Sequence, residues 1–91
     1  MNIEEDKKLA SALSYNGSSA PQVIAKGSGE AAEHIITSAK QNDVPIIEDH
    51  TLSQVLQAVP LGDEIPENLY IAVAEILVHV YHLEGKYRSY R

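Results

Sequence analysis

The strongest constraint on this chain is the switch of hydrophobic period at Gly27-Ser28-Gly29. Before it, apolar residues occur in short runs of the kind strands use; after it, they recur at helical spacing. Leu9, Ser11, Leu13 and Tyr15 share one side of an alternating segment, with Ala10, Ala12 and Ser14 on the other. The Ala and Leu of KKLASAL would also suit a helix. Tyr15 and the turn that follows it favour a strand. Asn16-Gly17, extended by Ser18 and Ser19, is a turn signal, and Gln22–Lys26, centred on Val23 and Ile24, reads as a second strand. The two strands are expected to form an antiparallel hairpin. Beyond the glycines, Ala31, Ala32, Ile35, Ile36 and Ala39 form a stripe along one helical face, narrow enough to lie close to a sheet. Glu30 and Glu33 fall in the first turns, where the helix dipole favours negative charge, and Asn42-Asp43 ends the helix.

The apolar run Val44–Glu48, VPIIE, reads as a third strand. A strand–helix–strand unit crosses over right-handed, which places the second and third strands parallel. Thr51 and Gln54 have capping-box spacing ahead of a short helix with Leu52, Val55, Leu56 and Val59 on its apolar side. Pro60 stops that helix, and Leu61–Ile65 is a connector. Pro66 suits the first turn of a last helix that runs to about Leu83. There Leu69, Val73, Ile76, Val80 and Leu83 follow heptad spacing, and Ala72, Leu77 and Tyr81 widen the stripe. This predicts the most buried helix of the domain, with Gly85 as its C-cap. The expected fold is therefore α/β: a small mixed sheet of about three to four strands, flanked by three to four helices, with one parallel strand–helix–strand unit. Ninety-one residues hold one domain. The boundaries read as a flexible N-terminal segment 1–8, a domain 9–85 and a basic C-terminal tail 86–91.

Without Phe or Trp, the core has to be built from Ile, Val, Leu and Ala. The absence of Cys excludes disulfides and thiolate metal sites. A net charge of −6 argues against binding nucleic acid or anionic membrane, which requires a basic face. Lys86, Arg88 and Arg91 form a basic cluster after the last helix and read as a solvated end. The start, MNIEEDKKLA, is charged where a signal peptide needs an apolar stretch. No apolar run approaches the roughly 18–20 residues of a membrane span. These features predict a soluble, cytoplasmic chain that does not insert into membrane.

Several constellations could carry chemistry. Gly27-x-Gly29-x-x-Ala32 follows a strand and opens a helix, with Glu48 and Asp49 at the end of the next apolar run, the form of a dinucleotide fingerprint. Against it, the chain has room for one such unit only, and Glu30 places a negative charge beside the phosphate position. The plainer reading gives both glycines to a tight turn and close helix–sheet packing. Glu75, His79 and His82, at i, i+4 and i+7, could converge on zinc or nickel. They equally form the solvent stripe of an otherwise apolar helix, and His34 and His50 have no assigned role. No Gly-x-Ser-x-Gly elbow is present. A last candidate is apolar surface: Ala20-Pro21, expected to be exposed after the turn, and the edge of the last helix at Ala74, Leu77, Val78 and Tyr81. Such a patch suits docking of a partner, with complete burial as the alternative.

The words LSY, APQVIAKGSG, VPIIED and IPENLYIAVAEIL, in that order, resemble the C-terminal cytoplasmic domain of the flagellar and type III secretion export-switch family (FlhB/YscU/SpaS) over residues 9–84. In that family the domain hangs below a four-helix membrane segment in the bacterial inner membrane. It cuts its own chain between Asn and Pro of an Asn-Pro-Thr-His motif, which lets the export apparatus change substrate class. Counting back from Tyr15, the motif falls on Glu5, Asp6, Lys7 and Lys8, and none of the four Asn residues here precedes a Pro. The resemblance thus implies a stand-alone copy of the fragment after the cut, with neither the membrane segment nor the self-cleaving activity, and so not an enzyme. It further implies an apolar depression that receives export substrates, at Ala20, Pro21, Ala74 and Leu77, and no cofactor. The expected function is a non-enzymatic protein-binding module of the export substrate-specificity switch. It would dock export substrates or export-gate components, in the cytoplasm or at the periphery of the export apparatus. The alternatives are a small nucleotide-binding protein using Gly27 and Gly29, or a metal-binding protein using Glu75, His79 and His82.

Overall fold

The structure, a computed structural model, describes residues 8–83, with side chains through Val80. Residues 1–7, the expected cap at Gly85 and the basic tail lie outside the described residues. Strands β1 (Leu9–Ser14) and β2 (Gln22–Ser28) form the expected antiparallel hairpin. Leu9 pairs with Ser28 and Ser14 with Gln22, and a bulge between Ala12 and Leu13 shifts the register. The turn is held by Asn16, whose Oδ1 accepts from the N–H groups of Ser18 and Ser19 at 2.9 and 3.2 Å. This is the Asx-turn chemistry that makes Asn-Gly a hairpin signal.

Helix α1 (Glu30–Gln41) follows β2 after a single turn residue, Gly29. Gly29 sits at φ 61° and ψ −126°, a conformation that a residue with a Cβ rarely adopts, and its N–H donates to the Lys8 carbonyl at 2.9 Å. Gly27 lies so close to the first turn of α1 that a Cβ there would stand 2.7 Å from the Ala31 Cβ. On α1, Ala32 is buried and Ile35, Ile36 and Ala39 are half-buried, the expected stripe, and the helix lies against both strands. Its end is closed by Asn42, whose Nδ2 donates to the Ser38 carbonyl, by Asp43 at φ 58°, and by the Val44 N–H donating to the Ala39 carbonyl at 2.8 Å.

The third strand expected at Val44–Glu48 does not appear among the described residues, which hold a two-stranded sheet. The Val44 N–H is already used to cap α1, and Pro45 has no N–H to give to a ladder. The backbone that does extend the sheet comes from the connector. Gly62 and Ile65 donate to the carbonyls of Val23 and Pro21 at 2.7 and 2.9 Å, and the Val23 N–H donates to the Asp63 carbonyl at 3.0 Å. An isolated antiparallel bridge joins Gln22 to Glu64. A parallel strand–helix–strand unit is therefore not formed by the described residues; the architecture is α/β with one antiparallel hairpin and three helices.

Helix α2 (His50–Leu56) is capped by Asp49, whose side chain accepts from the Leu52 N–H at 3.0 Å, two residues earlier than the expected Thr51–Gln54 box. Leu52, Leu56 and Val59 are buried, while Val55 is turned outward. After Pro66, a 3₁₀ turn (Glu67–Leu69) leads directly into α3 (Tyr70–Leu83). The central cluster joins Val23, Leu52, Leu56, Val59, Ile65, Leu69 and Val73. Leu69 and Val73 are buried, whereas Ile76, Leu77 and Val80 are half-buried and Tyr70, Ile71 and Val78 are exposed. The expectation that this helix is the most buried one is corrected: among its described side chains only Val73 is buried, while Ile76 and Leu77 pack half-buried against the core and Tyr70, Ile71 and Val78 are exposed.

Candidate functional site

Two of the four expected docking residues lie at the rim of the core. Ala20 and Leu77 are both half-buried and packed against the central cluster, beside Leu13 and Ile76. Ala74, one turn before Leu77 on α3, is exposed. Pro21 was expected to be exposed with Ala20, and it is buried instead. The reason is the connector: the Ile65 N–H bonds the Pro21 carbonyl, and this draws residues 62–65 over that end of β2.

Beside this rim opens a cleft of about 680 Å³. Its apolar wall is contributed by Leu13 and Ala25 of the hairpin, Ile35 of α1, Leu56 of α2, and Val73 and Leu77 of α3. Leu77 belongs to both the rim and the cleft, while Ala20, Pro21 and Ala74 lie outside the cleft. Among the polar residues at its edge, Asp49 is committed to capping α2. A concave, mostly apolar surface with few polar groups is suited to holding apolar side chains.

The other candidates separate. Gly27 and Gly29 serve the close approach and the tight turn of α1, the plainer of their two readings, and Glu48 is exposed. Glu75 and His79 are exposed, as are His34 and His50, and the described residues contain no group of three His, Asp or Glu able to hold a metal ion. The side chain of His82 lies outside the described residues. Of the positions matched to the cleavage motif, Glu5, Asp6 and Lys7 also lie outside them. Lys8 is exposed, with its carbonyl on the Gly29 N–H and its Nζ 3.5 Å from Glu33 on the surface. No helix among the described residues is long and apolar enough to cross a membrane.

Sequence reasoning passed over two polar residues that position the cleft. Lys26 Nζ donates to the carbonyls of Gln57 and Val59, the unsatisfied acceptors where α2 ends. Gln57 Nε2 donates in turn to the Ala10 carbonyl at 3.1 Å and to Ser11 Oγ at 3.3 Å. Together they tie the end of α2 to both strands. The basic character of Lys26 directly after the apolar run Val23–Ala25 was the available signal.

The fold defines a class: a small α/β domain in which a hairpin and three helices carry an apolar cleft. The C-terminal domain of EscU has this architecture. A solved variant of it superposes with a TM-score of 0.75 at 32% identity, covering 80% of this chain and 92% of that domain. The sequence leads to the same place. Residues 3–80 match the FlhB HrpN YscU SpaS family, and the chain belongs to that family. It is 46% identical over 70 residues to the uncharacterized protein YlqH of Bacillus subtilis, covering 77% of this chain and 75% of that one. It is 42% identical over 76 residues to the flagellar biosynthetic protein FlhB of Escherichia coli, covering 80% of this chain and 20% of that protein. The chain thus spans about a fifth of the length of that FlhB.

Proposed function

We propose that the chain is a non-catalytic docking module of the export-switch family, binding export substrates or export-gate components at the flagellar or type III export apparatus. The observation that carries this reading is that Ala20 and Leu77 both pack half-buried against the core cluster, with Ala74 exposed one turn from Leu77. Its cellular place on this reading is the cytoplasm, peripheral to the export apparatus on the inner membrane. The lack of any Asn followed by Pro in the 91 residues supports a module that binds without cutting itself. Neither the nucleotide reading nor the metal reading has a comparable observation behind it.

Ala74→Asp is the cleanest test, because it places a charge on the exposed edge without entering the core. Purified export-gate components and export substrates of the same cell are the ligands, with affinity read by biolayer interferometry and the fold by circular dichroism. The expected outcome is a loss of affinity of roughly tenfold or more with an unchanged spectrum. Equal affinity in the variant sinks the docking site, and no binding of the unmodified chain to any of these proteins sinks the function.

A further inference from the structure

Helix α3 carries a second, largely apolar face that the described residues leave uncovered. Glu75 is the only Asp, Glu, Lys or Arg in its fourteen residues. Leu69, Val73, Ile76 and Val80 turn toward the core. At helical spacing the opposite direction is occupied by Ile71 and Val78, flanked by Ala74 on one side and Glu75 on the other, with Tyr70 between the two faces. Ile71 is 76% exposed, Val78 48% and Tyr70 43%, and Ala74 is exposed as well. A surface helix of a globular domain ordinarily sets polar residues opposite its core stripe; here Glu75 and His79 share the outward side with the large apolar side chains of Ile71 and Val78, which a partner would cover. Ile71, Ala74 and Val78 at i, i+3 and i+7 are the spacing by which one helix receives another.

The charge around this face selects what covers it. From residue 41 to residue 80 the sequence contains seven Asp and Glu and no Lys or Arg. Glu67 lies one turn before Ile71 and Glu75 one turn after it, and both are exposed. A second copy of this chain would bring its own Glu67 and Glu75 against these, and like charge opposes that pairing. A segment that is apolar on one side and rich in Lys or Arg on its flanks meets both demands. It would bury Ile71 and Val78 and be drawn in by the acidic half of the domain.

We propose that the exposed Ile71–Ala74–Val78 face of α3 is a docking site for a basic amphipathic helix of a partner protein. The proposal rests on reading the domain as a docking module, and it extends the surface from Ala74 round to the far side of α3 while naming the chemistry of its ligand. The expected interaction weakens as salt screens the acidic half, because part of its strength is long-range attraction.

The probe is a synthetic helix-forming peptide of about 18 residues, with Leu at i, i+3, i+4 and i+7 and Lys elsewhere. A scrambled peptide of the same composition, hence the same charge with no apolar side, is the control. Fluorescence anisotropy against the intact chain is expected to show the patterned peptide binding roughly tenfold or more tightly than the scrambled one. Ile71→Ser with Val78→Ser should remove that preference while circular dichroism stays unchanged. Glu67→Gln with Glu75→Gln should flatten the salt dependence and keep the preference for pattern. Equal binding of the two peptides overturns the proposal, and so does retention of the preference in the double Ser variant. A concentration-dependent dimer in analytical ultracentrifugation that the Ser substitutions abolish also overturns it, since the occupant would then be a second copy. If Ala74→Asp loses export components while the patterned peptide never binds, this inference falls and the proposed function stands. Peptide binding with no export-component binding does the opposite: the basic-helix site stands and the export function falls.

Discussion

Gly27 and Ala31 meet where β2 hands over to α1, and the contact leaves no room for a methyl group. A Cβ at Gly27 would stand 2.7 Å from the Ala31 Cβ and 3.2 Å from its carbonyl carbon. The backbone cannot yield there cheaply, because Gly29 two residues on is already held at φ 61° with its N–H on Lys8. Gly27→Ala is therefore expected to cost about 1–3 kcal/mol, the usual range for overpacking. Urea denaturation measures it, and a midpoint equal to that of the unmodified chain would show that α1 can back away from the strand. The cap of α2 gives a second test at the same scale. Asp49 accepts the Leu52 N–H, while Thr51 is an exposed residue inside the helix. Asp49→Ala should cost about 1 kcal/mol and Thr51→Ala should cost little or nothing. Thermal melts of the two variants decide between the cap that is present and the one that sequence spacing suggested; a larger loss from Thr51→Ala would reverse the assignment.

At the scale of elements, the hairpin and α1 were legible because each is written in local chemistry. Asn16-Gly17 turns the chain, Gly29 permits the sharp entry into α1, and Ala32, Ile35 and Ala39 point its stripe at the strands. What was not legible depends on long-range pairing. VPIIE has the composition of a buried strand, but whether a short apolar run pairs is decided by the backbone beside it. The edge of β2 beside Pro21 and Val23 is taken by Gly62–Ile65, a stretch with Gly62 at φ 90° and the acidic pair Asp63 and Glu64, all of low strand propensity. Among the described hydrogen bonds the N–H groups of Ile46, Ile47 and Glu48 have no backbone acceptor, whereas those of Gly62, Asp63 and Ile65 do. Amide hydrogen exchange is thus expected to be fast at Ile46–Glu48 and slower by roughly a hundredfold or more at Val23, Gly62 and Ile65. Protection at Ile46 and Ile47 equal to that of β2 would restore the third strand. Of the apolar candidates, Ala20 and Leu77 lie half-buried on the core cluster and Ala74 is exposed, whereas Pro21 is buried under a connector pairing that local sequence does not show.

For the molecule as a whole, the decisive quantity is how little apolar material holds α3. Domains of this size retain a net stability of only about 5–15 kcal/mol, so single core contacts weigh heavily. Among the described residues the core is a cluster of aliphatic side chains, in which Val23 and Val73 are the fully buried ones. Val73 is 1% exposed, and beyond it the described side chains of α3 are half-buried or exposed. The surfaces proposed for binding, at Leu77 and Ala74 and at Ile71 and Val78, are all carried by this one helix. Its orientation depends on the cluster that Leu69 and Val73 share with Val23, Leu56 and Ile65, against which Ile76 and Leu77 also pack. Val73→Ala removes two methyl groups from that contact and should cost about 2–3 kcal/mol, on the scale of large-to-small core substitutions. For a chain of about 90 residues, each kcal/mol lowers the melting temperature by roughly 4–8 °C. Val78→Ala takes the same atoms from the same helix at an exposed position and should change stability by less than about 0.5 kcal/mol. Paired melts followed by circular dichroism separate the two cases. A large drop for Val73→Ala alone means that the helix is anchored through its first turns and that its remaining apolar face is held ready for a partner. Equal small changes would mean that this core does not hold α3, and that the helix is not preorganised for docking.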